Sequence, residues 1–457
     1  MKKVVKNKMG TRPMLPLIIS MSLPAMFSMF VQALYNVVDS IFVAQISEEA
    51  LTAVSLAFPV QVFLIAIAVG TGIGANSLIA RKLGEGKQKE ADSAATHSLI
   101  LAVLSWIFFA LFGLFFTRPF FEAFTTDPSI IEMGVQYTSC VSIFSFGVLI
   151  ECSVEKVLQA TGNMIYPMVF LLIGAITNVI LDPLFIFGLL GFPRLGVLGA
   201  AVATVIGQII AMAYSLYVLL TKDHDIKISF QKFRFHFKTV KNIYAVGFPA
   251  IIMQAMSSVM LIALNAILIL FSGTAVSVLG IYFKLQSFVF MPVFGLTQGV
   301  MPIMGYNFGA GNKKRLLDAL KIGSVIAIII MALGTLLFWM FPDSLLMIFN
   351  ASDEMLSVGR VALRAISLSF IPAAIGIMFS TLFQAINKGG KSLLVSLLRQ
   401  LIVIVPVSYL LAKIGLNYVW YSFPIAEVVS LTASVVVFYI IYHKLIKKLR
   451  PVSQETE

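Results

Sequence analysis

Residues 71–90 read TGIGANSLIARKLGEGKQKE, and residues 296–315 read LTQGVMPIMGYNFGAGNKKR. Each stretch closes an apolar run with a Gly-x-Gly turn, Gly84-Glu85-Gly86 or Gly309-Ala310-Gly311, and passes into basic residues. A shift of 225 residues superimposes the two without a gap. The same shift places Pro24 on Pro249, Gln61 on Gln286, Phe63 on Phe288, Gly70 on Gly295, Gly74 on Gly299, Lys89 on Lys314 and Gln159 on Gln384. A chance register in apolar sequence would match Leu and Ile, whereas these matches favour Gly, Pro, Gln and Lys. The chain is read as an internal duplication.

Outside the repeated turns the sequence is mostly apolar. Of 457 residues, 59% are hydrophobic and 12% charged, against about 25% charged in an ordinary soluble domain. That excludes a typical soluble enzyme, because there is too little polar surface to cover it. A spanning helix needs about 20 apolar residues, and twelve stretches qualify: 14–44, 50–80, 93–117, 130–160, 164–190, 195–221, 242–271, 275–308, 318–341, 354–385, 392–414 and 418–443. These are spans 1 to 12. With six spans in each half, both repeats enter the bilayer from the same side. The expected fold is an all-α integral membrane protein: two parallel six-helix repeats related by a pseudo-two-fold axis along the membrane normal, the plan of some secondary transporters. The expected divisions are a basic N-terminus (1–13), an N-lobe (14–221), a linker (222–241), a C-lobe (242–443) and a tail (444–457). A substrate site is expected in or between the lobes.

The net charge of +12 comes from short clusters between spans, so it marks topology and not nucleic-acid binding. Lys2, Lys3, Lys6, Lys8 and Arg12 precede span 1; Arg81, Lys82, Lys87 and Lys89 follow span 2. Lys222, Lys227, Lys232, Arg234, Lys238 and Lys241 follow span 6, Lys313, Lys314 and Arg315 follow span 8, Lys388 and Lys391 follow span 10, and Lys444, Lys447, Lys448 and Arg450 close the chain. The opposite connections hold little besides Arg118, Arg194 and Lys413. Positive residues stay on the cytoplasmic side, so both termini are expected there, in a multi-pass plasma-membrane protein. The apolar run at 14–43 is too long for a signal-peptide core and is read as a retained span.

Ionisable groups inside spans are costly and mark function by default. Asp39 lies in span 1 with Tyr35 four residues earlier on the same helical face. Asn178 and Asp182 repeat that spacing in span 5, followed by Pro183, which cannot donate to the carbonyl of Val179. Such an oxygen-rich cluster suits a proton or a hard cation, so Asp39, Asn178, Asp182 and Tyr35 are the candidate ion-coupling residues, the first three serving as metal ligands if the ion is sodium. Glu151 and Glu155 in span 4 are candidate contacts for a cationic substrate, although Glu155 has Lys156 beside it. Met253, Met256, Phe288 and Met291 are the flexible or aromatic candidates for binding lipophilic substrates. Lys284 and Glu427 are isolated charges of the second half, read mainly as neutralising partners.

Several other signals carry no chemistry. Cys140 and Cys152 lie about 18 Å apart on a helix and are read as unpaired core residues. Gly390-Lys391-Ser392 lacks the earlier glycine of a P-loop, and His97, His224, His236 and His443 form no zinc pattern. No cofactor is expected, and a membrane-embedded transferase would need clustered acidic or histidine motifs that are absent.

On these residues the chain resembles the multidrug and toxic compound extrusion (MATE) transporters, in a superfamily that also holds polysaccharide and lipid-linked-sugar flippases. The resemblance rests on Ser22-Leu23-Pro24, Tyr35-Asn36-Val37-Val38-Asp39, the two Gly-x-Gly turns, Leu158-Gln159-Ala160-Thr161-Gly162-Asn163, Asn178-Val179-Ile180-Leu181-Asp182-Pro183 and Gly247-Phe248-Pro249. Asp39 and Glu155-Lys156-Val157-Leu158-Gln159 look most like the bacterial MepA-like branch. The resemblance implies an antiporter coupled to protons or sodium, exporting cationic or amphipathic small molecules by alternating access. A monomer is expected, because two packed lobes need no partner to form a pathway. It links the matching carboxylates and amide to ion coupling. Where some relatives place a threonine in span 6, this chain has Gly199-Ala200-Ala201, with Thr204 about one turn further on. A flippase for a lipid-linked sugar is the alternative, but it would favour an interior rich in Arg and Lys.

Overall fold

The computed structural model describes residues 7–229 and 233–451, without the side chains of residues 36, 37, 39–41, 43, 44 and 48. Lys2, Lys3, Lys6 and Lys232 lie outside the described residues, and so does the side chain of Asp39.

Every regular element among the described residues is helical. The spans run Met14–Ala44, Glu48–Gly84, Gln88–Phe115, Pro128–Ile143 continued by Phe146–Ala160, Ile165–Phe187, Val197–Thr221, Phe237–Leu268, Gly273–Gly309, Lys313–Met340, Asp353–Ser367 continued by Phe370–Ala385, Gly389–Ala412 and Ser422–Lys444. Among the described residues ten helices are long and apolar enough to cross a membrane, and the pair forming span 10 passes as an eleventh with a 45° bend. Span 4 occupies the equivalent place in the first half and is broken likewise, at 144–145 against 368–369. It carries Glu132, Glu151, Glu155 and Lys156, which lower its hydropathy. In the ten single helices only 22–50% of the apolar window is buried by protein. Faces such as Ile107, Phe108 and Leu111, or Ile329, Leu333 and Leu336, are exposed. Apolar surface of that extent needs lipid.

Two compact units divide the chain, and they cut across the sequence halves. One comprises Met1–Met26, Ala80–Lys87 and Ile252–Glu457; the other comprises Phe27–Ile79 and Gln88–Ile251. In the first, the start of span 1 packs on span 8: a Cβ on Gly295 would meet Met26 Cα at 2.5 Å and one on Gly299 would meet Ser22 N at 2.8 Å. Ser22 Oγ also donates to Leu296 O at 3.4 Å. In the second, span 2 packs on the start of span 7, where a Cβ on Gly70 would meet Ile251 N at 3.1 Å and one on Gly74 would meet Gly247 N at 3.0 Å. The 225-residue shift converts the first set of partners into the second. Small residues are required at all four positions because the helix backbones touch.

The repeated turns are alike to the bond. Lys87 N donates to Lys82 O and Asn312 N to Asn307 O, each at 2.9 Å. Glu85 N donates to Arg81 O and Ala310 N to Tyr306 O, each at 2.8 Å. Gly86 and Gly311 take the left-handed backbone, at φ 73° and 68°, which ends a helix without the Cβ penalty. On the opposite ends of the spans, Arg118–Glu132 and Arg360–Asp343 form exposed pairs at 2.9 Å. Arg118 and Asp343 are equivalent under the shift, so the same staple recurs with its charges reversed.

Candidate functional site

Spans 5 and 6 are built to approach closely. Gly199, Ala200, Ala201, Ala203 and Gly207 of span 6 are buried, and a Cβ on Gly207 would meet Gly174 O at 2.8 Å and Asn178 Cβ at 3.5 Å. That closeness brings a polar group from span 6 to span 5. Asn178 Nδ2 donates to Asp182 Oδ1 at 3.3 Å and to Thr204 Oγ1 at 3.1 Å. Asp182 is 0% exposed and Asn178 2%. Asn178 Oδ1 is buried with no hydrogen-bond partner among the described residues. The result is an amide, a carboxylate and a hydroxyl held together inside apolar helices. Thr204, which the spacing leaves a turn beyond the expected position, belongs to the cluster.

Tyr35 lies partly buried in span 1. The side chain of Asp39 falls outside the described residues, so the cluster described is the span 5 and span 6 part alone. Among the described residues no group of three or more His, Cys, Asp or Glu gathers as a metal site.

Span 4 carries a second polar group. Lys156 Nζ donates to Glu155 Oε1 at 2.8 Å and to Gln159 Oε1 at 3.2 Å, and Gln159 Nε2 donates to the same Glu155 oxygen at 2.6 Å. The Lys156 side chain is 7% exposed and that of Glu155 19%. Gly72 of span 2 makes room for it, since a Cβ there would meet Lys156 Cγ at 2.5 Å. Asn76 Nδ2 fixes the same turn by donating to Lys156 O at 3.1 Å. Glu151 lies one turn earlier, partly buried. Glu155 is therefore paired within its own helix with the adjacent Lys156, the pairing that their adjacency allows, and Gln159 joins them as a residue not expected there.

The second-half candidates are dispersed. Met256 is buried, Met253 and Met291 are partly buried, and Phe288 is exposed. Met253 sulfur accepts from Ser396 Oγ at 3.2 Å and Ser392 Oγ at 3.5 Å of span 11. Lys284 Nζ sits 5.7 Å from the centre of the Phe349 ring. Glu427 pairs with Arg399 of span 11 at 2.8 Å, a partner 28 residues away that no local pattern announces. Cys140 and Cys152 are both free.

Comparison with known proteins bears on the duplicated fold. The MatE family model matches residues 24–184 and again 249–410, the two matches beginning at Pro24 and Pro249. An FAD transporter of Shewanella oneidensis is 25% identical over 411 residues, covering 89% of this chain and 90% of that protein. The multidrug export protein MepA of Staphylococcus saprophyticus is 24% identical over 426 residues, covering 93% of each. A solved structure described as the outward-facing conformation of a multidrug resistance MATE transporter of the MOP superfamily superposes with a TM-score of 0.89 at 27% identity, covering 94% of this chain and 96% of that one. A duplicated frame of twelve spans, matched by one family model in each half, shows that the chain belongs to the MatE family of multi-pass membrane transporters.

Proposed function

We propose that the protein is an ion-coupled antiporter that exports cationic or amphipathic small molecules by alternating access. The observation that carries this reading is the buried Asn178, Asp182 and Thr204 cluster. It offers a titratable oxygen, a hydroxyl and an amide oxygen with no hydrogen-bond partner among the described residues, a set that takes either a proton or a sodium ion. Charge inside a span changes helix energetics by several kcal/mol, enough for ion binding to bias one conformation over another. The ion enters from outside and binds around Asp39 and Asp182, and the drug leaves. After the switch the ion is lost inward, the carboxylates regain charge, and a new substrate binds. Reciprocity makes each ligand weaken the other.

Glu151, Glu155, Met253, Met256, Phe288 and Met291 are the proposed substrate contacts. Both termini are proposed to be cytoplasmic, with 14–221 and 242–443 as the lobes of a monomer. The MepA relative supports drug export, and the FAD transporter widens the substrate range to larger, charged molecules.

The test uses proteoliposomes with an imposed proton or sodium gradient and a cationic dye. One gradient is expected to drive dye movement in the wild type, and Asp182→Asn is expected to abolish it. Dye movement indifferent to both gradients sinks the proposal.

A further inference from the structure

Span 11 contains one wide turn. Between Leu398 and Val403 its backbone adopts a π-helix, a local rewinding that is frequent at functional sites. Arg399 stands on that turn, about 15 Å along the helix from its Gly389 end. Its Nη1 donates to Glu427 Oε1 of span 12 at 2.8 Å, which holds the head at that depth. The Arg399 side chain remains 27% exposed, whereas that of Glu427 is 11% exposed. The bond to Glu427 is the one hydrogen bond that the guanidinium makes among the described residues, although the group carries five N–H donors. An arginine with unspent donors inside a span faces water or a polar ligand, not lipid. Next to it in sequence, buried Gln400 accepts from Ser257 Oγ at 3.2 Å, and Ser396 donates to Met253 sulfur, both toward span 7.

The fold does not need this pair. Under the 225-residue shift Arg399 corresponds to Gly174 and Glu427 to Val202, so the same two helices assemble in the first half without charge at either place. A buried ion pair also contributes little net stability, because desolvation offsets its attraction.

We infer that Arg399 is an anion-docking residue, which binds the carboxylate or phosphate of an amphipathic substrate with Glu427 as its resting partner. The transporter thereby accepts zwitterionic and anionic molecules as well as cations. This rests on the proposed export activity and names a substrate class for it. The open donors of the guanidinium meet the two oxygens of the incoming group side by side. Glu427 competes for the same head and repels the newcomer, so it sets the strength of binding.

The test is equilibrium binding to the full chain in phospholipid-free maltoside micelles. Two xanthene dyes serve as probes, one with a free carboxylate and one with that group as its ethyl ester. Arg399→Gln is expected to lower the carboxylate-to-ester affinity ratio about tenfold. Arg399→Lys recovers part of that ratio, and Glu427→Gln raises it above the wild-type value. The last result is one that a merely structural pair would not produce. The inference is overturned if Arg399→Gln weakens both dyes equally, if Glu427→Gln lowers the ratio, or if added phosphatidylglycerol abolishes the Arg399-dependent preference, which would make lipid the occupant. If Arg399→Gln does not fold, the Glu427→Gln and Arg399→Lys ratios decide. Gradient-driven transport of the ester dye is scored separately: its absence removes the antiport reading and leaves the docking result standing.

Discussion

Gly84 and Gly309 make reciprocal contacts. A Cβ on Gly84 would collide with the carbonyl of Tyr306, and one on Gly309 would collide with the carbonyl of Arg81. Residue 306 is residue 81 displaced by 225, just as 309 is 84 displaced by 225. Two repeats that exchange the same contact are related locally by a two-fold operation. The contact is backbone against backbone, so no side chain can adjust to relieve a larger residue.

Gly84→Ala and Gly309→Ala are each expected to lower stability by about 1–3 kcal/mol through overpacking. Gly280→Ala, where a Cβ meets nothing within 4 Å, is expected to be neutral or to stabilise by up to about 1 kcal/mol. Thermal unfolding of the purified protein in detergent measures all three. Equal midpoints for the three variants would refute the close-contact account.

Thr204→Val removes the acceptor at 3.1 Å from Asn178 Nδ2 and leaves that buried donor short of a partner. The expected cost is about 1–3 kcal/mol, together with weaker gradient-driven dye export. Thr204→Ser retains the hydroxyl and is expected to retain both properties. Indistinguishable valine and serine variants would remove Thr204 from the site.

Lys156→Met breaks the Lys156–Glu155 pair and leaves a partly buried carboxylate. A loss of about 3 kcal/mol is expected, at the lower end for a broken buried pair because Glu155 keeps some exposure. The double variant Glu155→Gln/Lys156→Met is expected to lose less than Lys156→Met alone. A double-mutant cycle on unfolding midpoints supplies the coupling, and strict additivity would show the pair to be inert.

Glu85 gives the turn after span 2 a dependence on acid. Partial burial pushes its carboxyl up, but hydrogen bonds from Lys82 at 2.9 Å and Lys87 at 3.0 Å outweigh burial and hold it below the ordinary glutamate value. The folded state therefore binds this proton less readily than the unfolded chain. Its contribution is present above the unfolded value of about 4.3 and is lost as pH falls through the lower folded value. Glu85→Gln is expected to flatten the acid side of a plot of unfolding midpoint against pH. Parallel curves for wild type and variant would contradict this.

His97 fastens the loop between spans 6 and 7. His236 N donates to His97 Nε2 at 2.9 Å, the imidazole lies 4.8 Å from the Phe233 ring, and Lys227 N donates to Asp92 Oδ1 at 2.9 Å. His97→Ala is expected to speed tryptic cleavage at Lys227 and Arg234 severalfold in membrane vesicles opened to protease on the loop side. Unchanged cleavage kinetics would show that the loop is held by its other contacts.

Much of the fold could be read from composition and periodicity. Span 1 starts and ends where the apolar run does, and most other boundaries move by a few residues. The breaks at 144–145 and 368–369 were not legible, because Phe144-Ser145 and Leu368-Ser369 contain neither Pro nor Gly. The wide turn at Leu398–Val403 also lacks a marker. In the site, Asn178 and Asp182 could be paired from their spacing on one helix, whereas Thr204 and Arg399 could not, because their partners lie on other helices.

The amino-acid sequence by itself determined that the chain spans a membrane, that it is duplicated with a 225-residue register, and that a few carboxylates stand inside apolar helices. Hydrophobic length, repeat and helical spacing are local properties and need no coordinates. Only the tertiary structure decided which helices approach each other, and hence that Thr204 meets Asn178 and that Glu427 is held by Arg399. Those meetings depend on how closely backbones pack, which is set by glycines such as Gly174 and Gly207 acting across helices.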